Sequence, residues 1–469
     1  MLEVILNEIV ENKKDEIINS TRELVKIKSV FKETNNSIKP FGEGIYKALD
    51  YALNLGEKLE LKSDNVDGYA GYLEIGEGRE MIGVLCHVDV VPEGSVWDCP
   101  PYGAQIHDGK LFGRGAVDDK GPTIASIFAL KAIKESGLPV SKRARVIIGT
   151  DEETQGRGIK YYLKNREKPL YGFSPDAEFP VVFAEKGILR FRLIKKIKDN
   201  KQKGETFLVR LTGGDKVNIV PDYAKAEIET SCRDLEIIQE QIKHPHADKG
   251  IKITRESATK VLIESFGKSA HASLPEEGEN AISQLVNFLK NLYFQPDDSY
   301  EFIKLLSDNF GADIYGRKLN IDFKDKVSGQ LTVNFGLIDI DSKEGKAVFD
   351  IRYPVLTKKE DVWDRLNKLA PSKNVEIEEI QHKPPLYVGQ DAKLIKSLQK
   401  VYYEITNQEP KLISIGGGTY CRYLENFVAF GPVFPGQKEL AHQKNEYILI
   451  KDLVKITKIY AQAIYELIK

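Results

Sequence analysis

Apolar and polar positions alternate at two different periods along this chain. Residues 3–28 carry apolar side chains at helical spacing, with Glu8 and Glu11 on one face, which predicts an amphipathic N-terminal helix. Residues 71–75 read as a strand, and MIGVLC (81–86) is a continuous apolar run of the kind a buried strand shows. A helix is expected from about 122 to 136, because Pro122 suits a first turn and Gly137 ends it. RARVIIGT (143–150) is a second buried-strand candidate, 156–165 a short helix and VVFAE (181–185) a further strand. This β–α–β–α order predicts an α/β domain, a mixed sheet flanked by helices.

The period then changes. FRLIKKI, FLVRLT, AKAEIET, IKITRES, KVLIESFG, LTVNFGLIDI and KAVFDIRYP alternate with period two between 189 and 382, interrupted by helices near 280–294 and 358–369. Antiparallel strands with helices predict an α+β domain. Beyond 383 the helix-and-strand pattern returns and closes on a long amphipathic helix from about Ile450. The simplest organisation is a discontinuous catalytic domain (1–187 and 383–469) with a large inserted α+β lid domain (188–382).

Composition narrows the function classes. Among 469 residues, 68 Lys and Arg balance 70 Asp and Glu, which argues against a nucleic-acid partner. With 21 Tyr and 20 Phe the chain can build cores rather than stay disordered. The best apolar run, 427–434, is broken by Gly431 and Pro432, so no membrane partner is expected. The N-terminus lacks the small-residue cleavage site of a signal peptide. Four cysteines (Cys86, Cys99, Cys232, Cys421) with no CxxC pairing suit a reducing cytoplasm.

Candidate chemistry follows the strand-like runs. His87 and Asp89 stand two apart after the run 81–86, so the imidazole is placed to bind a metal while Asp89 fixes its other nitrogen. Asp118 precedes the predicted helix at Pro122, where a carboxylate can bridge two cations or simply cap the helix. Glu152 and Glu153 point in different directions on an extended chain, so one can ligate while the other acts as a base. Asp176 sits beside a turn and His442 far downstream in ELAHQKNE. Taken singly, each has an ordinary reading: a satisfied histidine, a capping or turn aspartate, a solvated glutamate pair. Together, two imidazoles and three carboxylates are the ligand chemistry of paired zinc, manganese or cobalt.

HVDVVP, GRGAVDDKGP, GTDEET, FSPDAE and AHQKNE resemble, in order and wording, the co-catalytic zinc exopeptidases that include carboxypeptidase G and the succinyl-diaminopimelate desuccinylases. SFGKSAHASLPEEGENA, FDIRYP, IGGGTYCRY and the large insert are similar to the PepV-type dipeptidase branch. The resemblance implies two divalent ions, zinc first, held by His87, Glu153, Asp176 and His442 with Asp118 bridging. It implies that Asp89 orients His87 and that Glu152 is the general base for a metal-activated water. From the lid, His271 would stabilise the oxyanion, while Asn218 and Arg352 would hold the substrate backbone and its carboxylate. The backbone of Gly416, Gly417, Gly418 and Thr419 would serve the same anion, although a Gly turn and a surface Arg ion pair remain alternative readings there. Cys421 departs from the small residue usual in relatives and is expected to act as a structural small residue.

The expected function is thus a metal-dependent dipeptidase acting on small peptides with a free amino terminus. A monomer is expected, because an oversized lid replaces a dimer interface. An N-acyl amino-acid deacylase or desuccinylase keeps the chemistry with another substrate, and a non-catalytic binding protein on the same scaffold is the reading from a different class.

Overall fold

A computed structural model of the chain describes residues 2–198, 206–230, 250–292, 294, 296–369 and 375–469; Cys232 lies outside them. The chain forms two compact units. One comprises Met1–Ala184, Tyr387–Ser414 and Gly418–Lys469, and the other Glu185–Leu386 with Ile415–Gly417.

The first unit is built on a mixed sheet. Its strands run in the order Lys62–Val66, Ala70–Ile75, Arg143–Gly149, Met81–His87, Tyr171–Ser174, Phe427–Ala429, Val181–Glu185 and Leu386–Tyr387, with Leu412–Ile415 also paired to Val181–Glu185. The four strands from Arg143–Gly149 to Phe427–Ala429 are mutually parallel. Met81–His87 is buried along its whole length, as a continuous apolar run requires inside a sheet covered on both faces. At the antiparallel edge, Lys62–Val66 turns into Ala70–Ile75 through Asp67 and Gly68, at φ 53° and 71°. An Asp-Gly pair reaches these left-handed angles readily.

Helix Lys120–Ser136 is buried over most of its length, packs against Ile450–Ile468 and ends at Gly137 with φ 64°. The single helix expected over 3–28 is two, Leu2–Asn12 and Lys14–Lys26. The break at Lys13 lets both halves lie on Lys120–Ser136. Glu43–Lys58 is a further helix, with Ile45, Ala48, Leu49, Ala52 and Leu53 buried on one stripe.

The second unit carries an eight-stranded sheet in which every pair is antiparallel. Its order is Ile251–Arg255, Lys260–Phe266, Tyr223–Glu229, Phe207–Gly213, Thr332–Ile340, Glu344–Tyr353, Gly187–Lys196 and Glu376–Lys383. Helices Ala281–Lys290 and Lys359–Asn367 interrupt the strands, together with Asp298–Asn309, a helix the sequence pattern did not single out. The core includes Phe349, whose ring lies 5.0, 4.0 and 4.5 Å from those of Phe191, Phe310 and Phe335.

A charged cluster lies in the first sheet. Glu74 and Arg145 face each other across adjacent strands, both nearly inaccessible, with Arg145 Nε 2.7 Å from the Glu74 carboxylate. Arg145 also donates to Tyr162 Oη at 2.8 Å and lies 3.8 Å over the Tyr72 ring. Removing one partner leaves the other charge buried, which costs far more than an exposed pair is worth. Glu74→Ala is therefore expected to lower unfolding stability by about 3 kcal/mol in urea titration. A loss below about 1 kcal/mol, the range of an exposed pair, would show that solvent reaches Arg145.

Candidate metal centre

The predicted ligands gather at the carboxyl ends of the four parallel strands. His87 is the last residue of Met81–His87, and Glu152 and Glu153 follow Arg143–Gly149. Asp176 follows Tyr171–Ser174, and His442 lies in the loops after Phe427–Ala429. Asp118 precedes helix Lys120–Ser136. Open α/β sheets bind ligands at this end because the strands are rigid and the loops beyond them are free to carry chemistry.

Two triads result, His87–Glu152–Asp176 and Asp118–Glu153–His442, each with its ligand atoms within 4.8 Å of one another. Asp118 lies between them. Its Oδ1 is 3.0 Å from His87 Nε2 and its Oδ2 is 3.1 Å from His442 Nε2. Asp176 Oδ2 stands 3.8 Å from His87 Nε2, and Glu153 Oε2 stands 3.0 Å from His442 Nε2.

The orientation of His87 is set by its other nitrogen. Nδ1 lies 3.0 Å from the main-chain carbonyl of Asp89, and the Asp89 carboxylate is 3.5 Å away. A carbonyl only accepts, so Nδ1 carries a hydrogen and Nε2 is the nitrogen that can present a lone pair. Asp89 thus orients His87 first through its backbone, whereas its carboxylate was the expected partner. Its Oδ2 accepts from the Glu153 main-chain N–H at 3.0 Å, linking the segments that carry His87 and Glu153. Behind the site, Asp119 Oδ2 accepts from the His87 main-chain N–H at 3.1 Å. The Tyr420 ring packs edge-on to His87 at 6.1 Å.

Electrostatics show what the cluster lacks. Burial and the charge of Asp118 push Glu153 up to about 7 and Asp176 up to about 6. Burial also favours neutral Asp118, but hydrogen bonds from His442 and His87 outweigh it and hold that carboxyl below the usual range. His442 is raised to about 11, its bonds to Asp118 and Glu153 overcoming the burial that would lower it. His87 is raised for the same reason by Asp118, Asp176 and Asp89, against burial. Its Nε2 is buried and faces Asp118 Oδ1 at 3.0 Å. Every group thus favours added positive charge, and an all-nitrogen-and-oxygen donor set of this kind fits a divalent ion such as zinc, manganese or cobalt.

The remaining predicted residues divide between the units. Asn218, His271, Arg352, Gly416 and Gly417 belong to the second, Gly418 and Thr419 to the first. Within the second unit, Ile219 bridges to His271 and the Asn218 carbonyl accepts from Ala272 at 3.0 Å. The Nε and Nη2 of Arg352 grip Asp350 at 2.5 and 3.1 Å, and Nη1 donates to the Gly416 carbonyl at 2.6 Å. Close packing explains two of the glycines: a Cβ at Gly416 would overlap Ser273, and one at Gly418 would overlap Arg422. Thr419 Oγ1 accepts from the Cys421 main-chain N–H at 3.2 Å. Cys421 is fully buried, so its thiol is not displayed to solvent. Two charged residues inside the quoted motifs, Arg114 and Glu446, form a buried pair beside Asp118 that the spacing did not reveal.

Similarity to known proteins agrees with this geometry. The model of the Peptidase family M20/M25/M40 matches residues 83–466. The chain is 42% identical to the Bacillus subtilis protein called "Putative dipeptidase YtjP", over 97% of this chain and 98% of that one. It is 36% identical to a Staphylococcus epidermidis protein called "Putative dipeptidase", over 97% of each. Two solved structures share the fold. Aminoacylhistidine dipeptidase from Vibrio alginolyticus has a TM-score of 0.58 at 13% identity over 96% of both chains. Human carnosine dipeptidase 1 has a TM-score of 0.56 at 16% identity over 99% of both. The chain belongs to the Peptidase family M20/M25/M40 and is a metallopeptidase.

Proposed function

We propose that this metallopeptidase is a dipeptidase that holds two divalent ions, zinc first with manganese or cobalt as alternatives, and cleaves dipeptides bearing a free amino terminus. The observation that carries the reading is Asp118, whose two oxygens each face a different imidazole at 3.0 and 3.1 Å. Ions bound there supply the positive charge that polarises a peptide carbonyl and acidifies a water.

The protein's own groups do the rest. Asp118 would span the two ion positions, with His87 and Asp176 holding one and Glu153 and His442 the other. Asp89 keeps the lone pair of His87 on Nε2. Glu152 takes a proton from the attacking water and returns it to the leaving amine nitrogen. His271 donates to the oxyanion from Nε2. Its Nδ1 faces the Ser273 main-chain N–H at 3.4 Å and the Ser273 hydroxyl at 2.6 Å. A main-chain N–H only donates, so Nδ1 accepts and the hydrogen resides on Nε2. Arg352 receives the substrate carboxylate on its Nη1–Nη2 edge, since Asp350 occupies the Nε–Nη2 edge. Asn218 and the backbone of Gly416, Gly417, Gly418 and Thr419 complete the grip on a short substrate. A lid role for the second unit, a monomeric state and a reducing compartment belong to the same reading. The described cysteines Cys86 and Cys99 form no disulfide.

A panel of dipeptides, one with its amino terminus blocked, tests the substrate. Turnover by metal-reloaded protein should require the free amine, and turnover of the blocked member alone would move the reading to a deacylase. Glu152→Gln should lower kcat by about 10²- to 10⁴-fold with little change in KM. An equal rise in KM at constant kcat would remove Glu152 from proton transfer.

Metal loading should also depend on pH. Protons held by His442, and below about pH 7 by Glu153, must leave when an ion enters. Apparent affinity should therefore fall about tenfold or more per pH unit on going from pH 8 to 6, with protons released on binding. Titration calorimetry in buffers of different ionisation enthalpy measures this. A pH-independent affinity would show that the ions do not use these side chains.

A further inference from the structure

Arg114 and Glu446 stand in the motifs that carry Asp118 and His442, yet neither belongs to a triad of ligand atoms. They form an ion pair, Nη1 to Oε2 at 2.6 Å, with exposures of 2% and 0%. The other oxygen of Glu446 accepts the main-chain N–H of Val117 at 2.9 Å and of Asp118 at 3.2 Å. The other terminal nitrogen of Arg114 donates to the main-chain carbonyl of His442 at 3.2 Å. The Gly113 N–H reaches the Glu446 carbonyl at 2.9 Å, so the two segments are also joined through the backbone.

One ion pair therefore holds two ligand-bearing loops that lie more than 300 positions apart in sequence. His442 itself has φ 64°, a left-handed angle that a non-glycine residue keeps only where its surroundings impose it. The bond from Arg114 to its carbonyl is one such restraint. Stability alone does not account for the pair. Burying both charges is costly, and Arg114 Nε is left buried without a partner. The His87–Glu152–Asp176 triad is held differently, through a strand end, the Asp89 carbonyl and Asp119, none of which hydrogen-bonds the pair.

We propose that Arg114 and Glu446 are positioning residues. They fix the separation of Asp118 Oδ2 and His442 Nε2 and so set the affinity of the Asp118–Glu153–His442 position for its ion, with a smaller effect on the other position, which shares Asp118 through Oδ1 but does not use His442. This rests on the two-ion reading above.

The test is cobalt titration of the metal-stripped full chain against a chromogenic chelator, followed by visible absorption, for wild type, Arg114→Lys, Glu446→Gln and the double variant Arg114→Gln/Glu446→Gln. His442→Ala and His87→Ala supply the signatures of losing either position. Wild type should show two binding steps. In each single variant one step should weaken about 10- to 100-fold, the range of groups that orient metal ligands. The remaining spectrum should match that of His442→Ala. The double variant, whose paired amides bridge the same loops without charge, should recover part of that step. Equal weakening of both steps overturns the proposal. So does a lower unfolding midpoint of the metal-free protein with both steps unchanged, which would make the pair merely structural. A wild type that binds a single ion overturns the two-ion reading itself, a result distinguishable because it needs no variant.

Discussion

Asp118 touches two imidazoles at once, and the carboxylates of Glu153 and Asp176 crowd in behind them. Groups of like charge pressed together in a low-dielectric pocket repel unless something positive lies among them. The protein accepts that repulsion and anchors the backbone segments that bear these groups. Strand ends, a helix start and a web of main-chain hydrogen bonds do the anchoring. The raised Glu153, Asp176 and His442 values express the same fact in protons: without a metal, the cluster gathers them.

The scaffold follows from this need for rigidity. Parallel strands covered on both faces are apolar and stiff, and their carboxyl ends point one way. Burial of Met81–His87 fixes His87, and pairing with Arg143–Gly149 and Tyr171–Ser174 sets the loops bearing Glu152, Glu153 and Asp176 beside it. Helix Lys120–Ser136 is held under Asp118 by the N-terminal helices and by Ile450–Ile468. The second unit answers a different need. Its all-antiparallel sheet and aromatic core present Asn218 and His271 on adjoining backbone, and Arg352 locked against Asp350.

Much of this was legible before the structure. The five ligand candidates and Glu152 stand after runs whose periodicity announces strands or beside a helix start, and the fold brings them together. What stayed hidden shares a physical cause. The Asp89 contact to His87 runs through a carbonyl, a group every residue owns and no letter records. The Arg114–Glu446 pair joins residues distant in sequence, so no local spacing marks it. Helix Glu43–Lys58 has a regular apolar stripe, but Gly44 and Gly56 blur it; both are there because a Cβ would overlap Lys28 or Leu73. The break at Lys13 depends on what the two halves pack against, which the chain's own periodicity does not contain.

The division of the first unit also orders events in time. His87, Asp118, Glu152, Glu153 and Asp176 all precede the second unit in the chain, and His442 follows it. A ribosome therefore delivers most of the acidic cluster long before its last imidazole and before Phe427–Ala429, the strand that completes the parallel core. Throughout that interval the nascent chain holds an unfinished sheet edge, of the kind that another strand can pair with. Vectorial synthesis thus makes the candidate metal centre one of the last features to mature. Its completion waits for His442, which is made only after the second unit's segments.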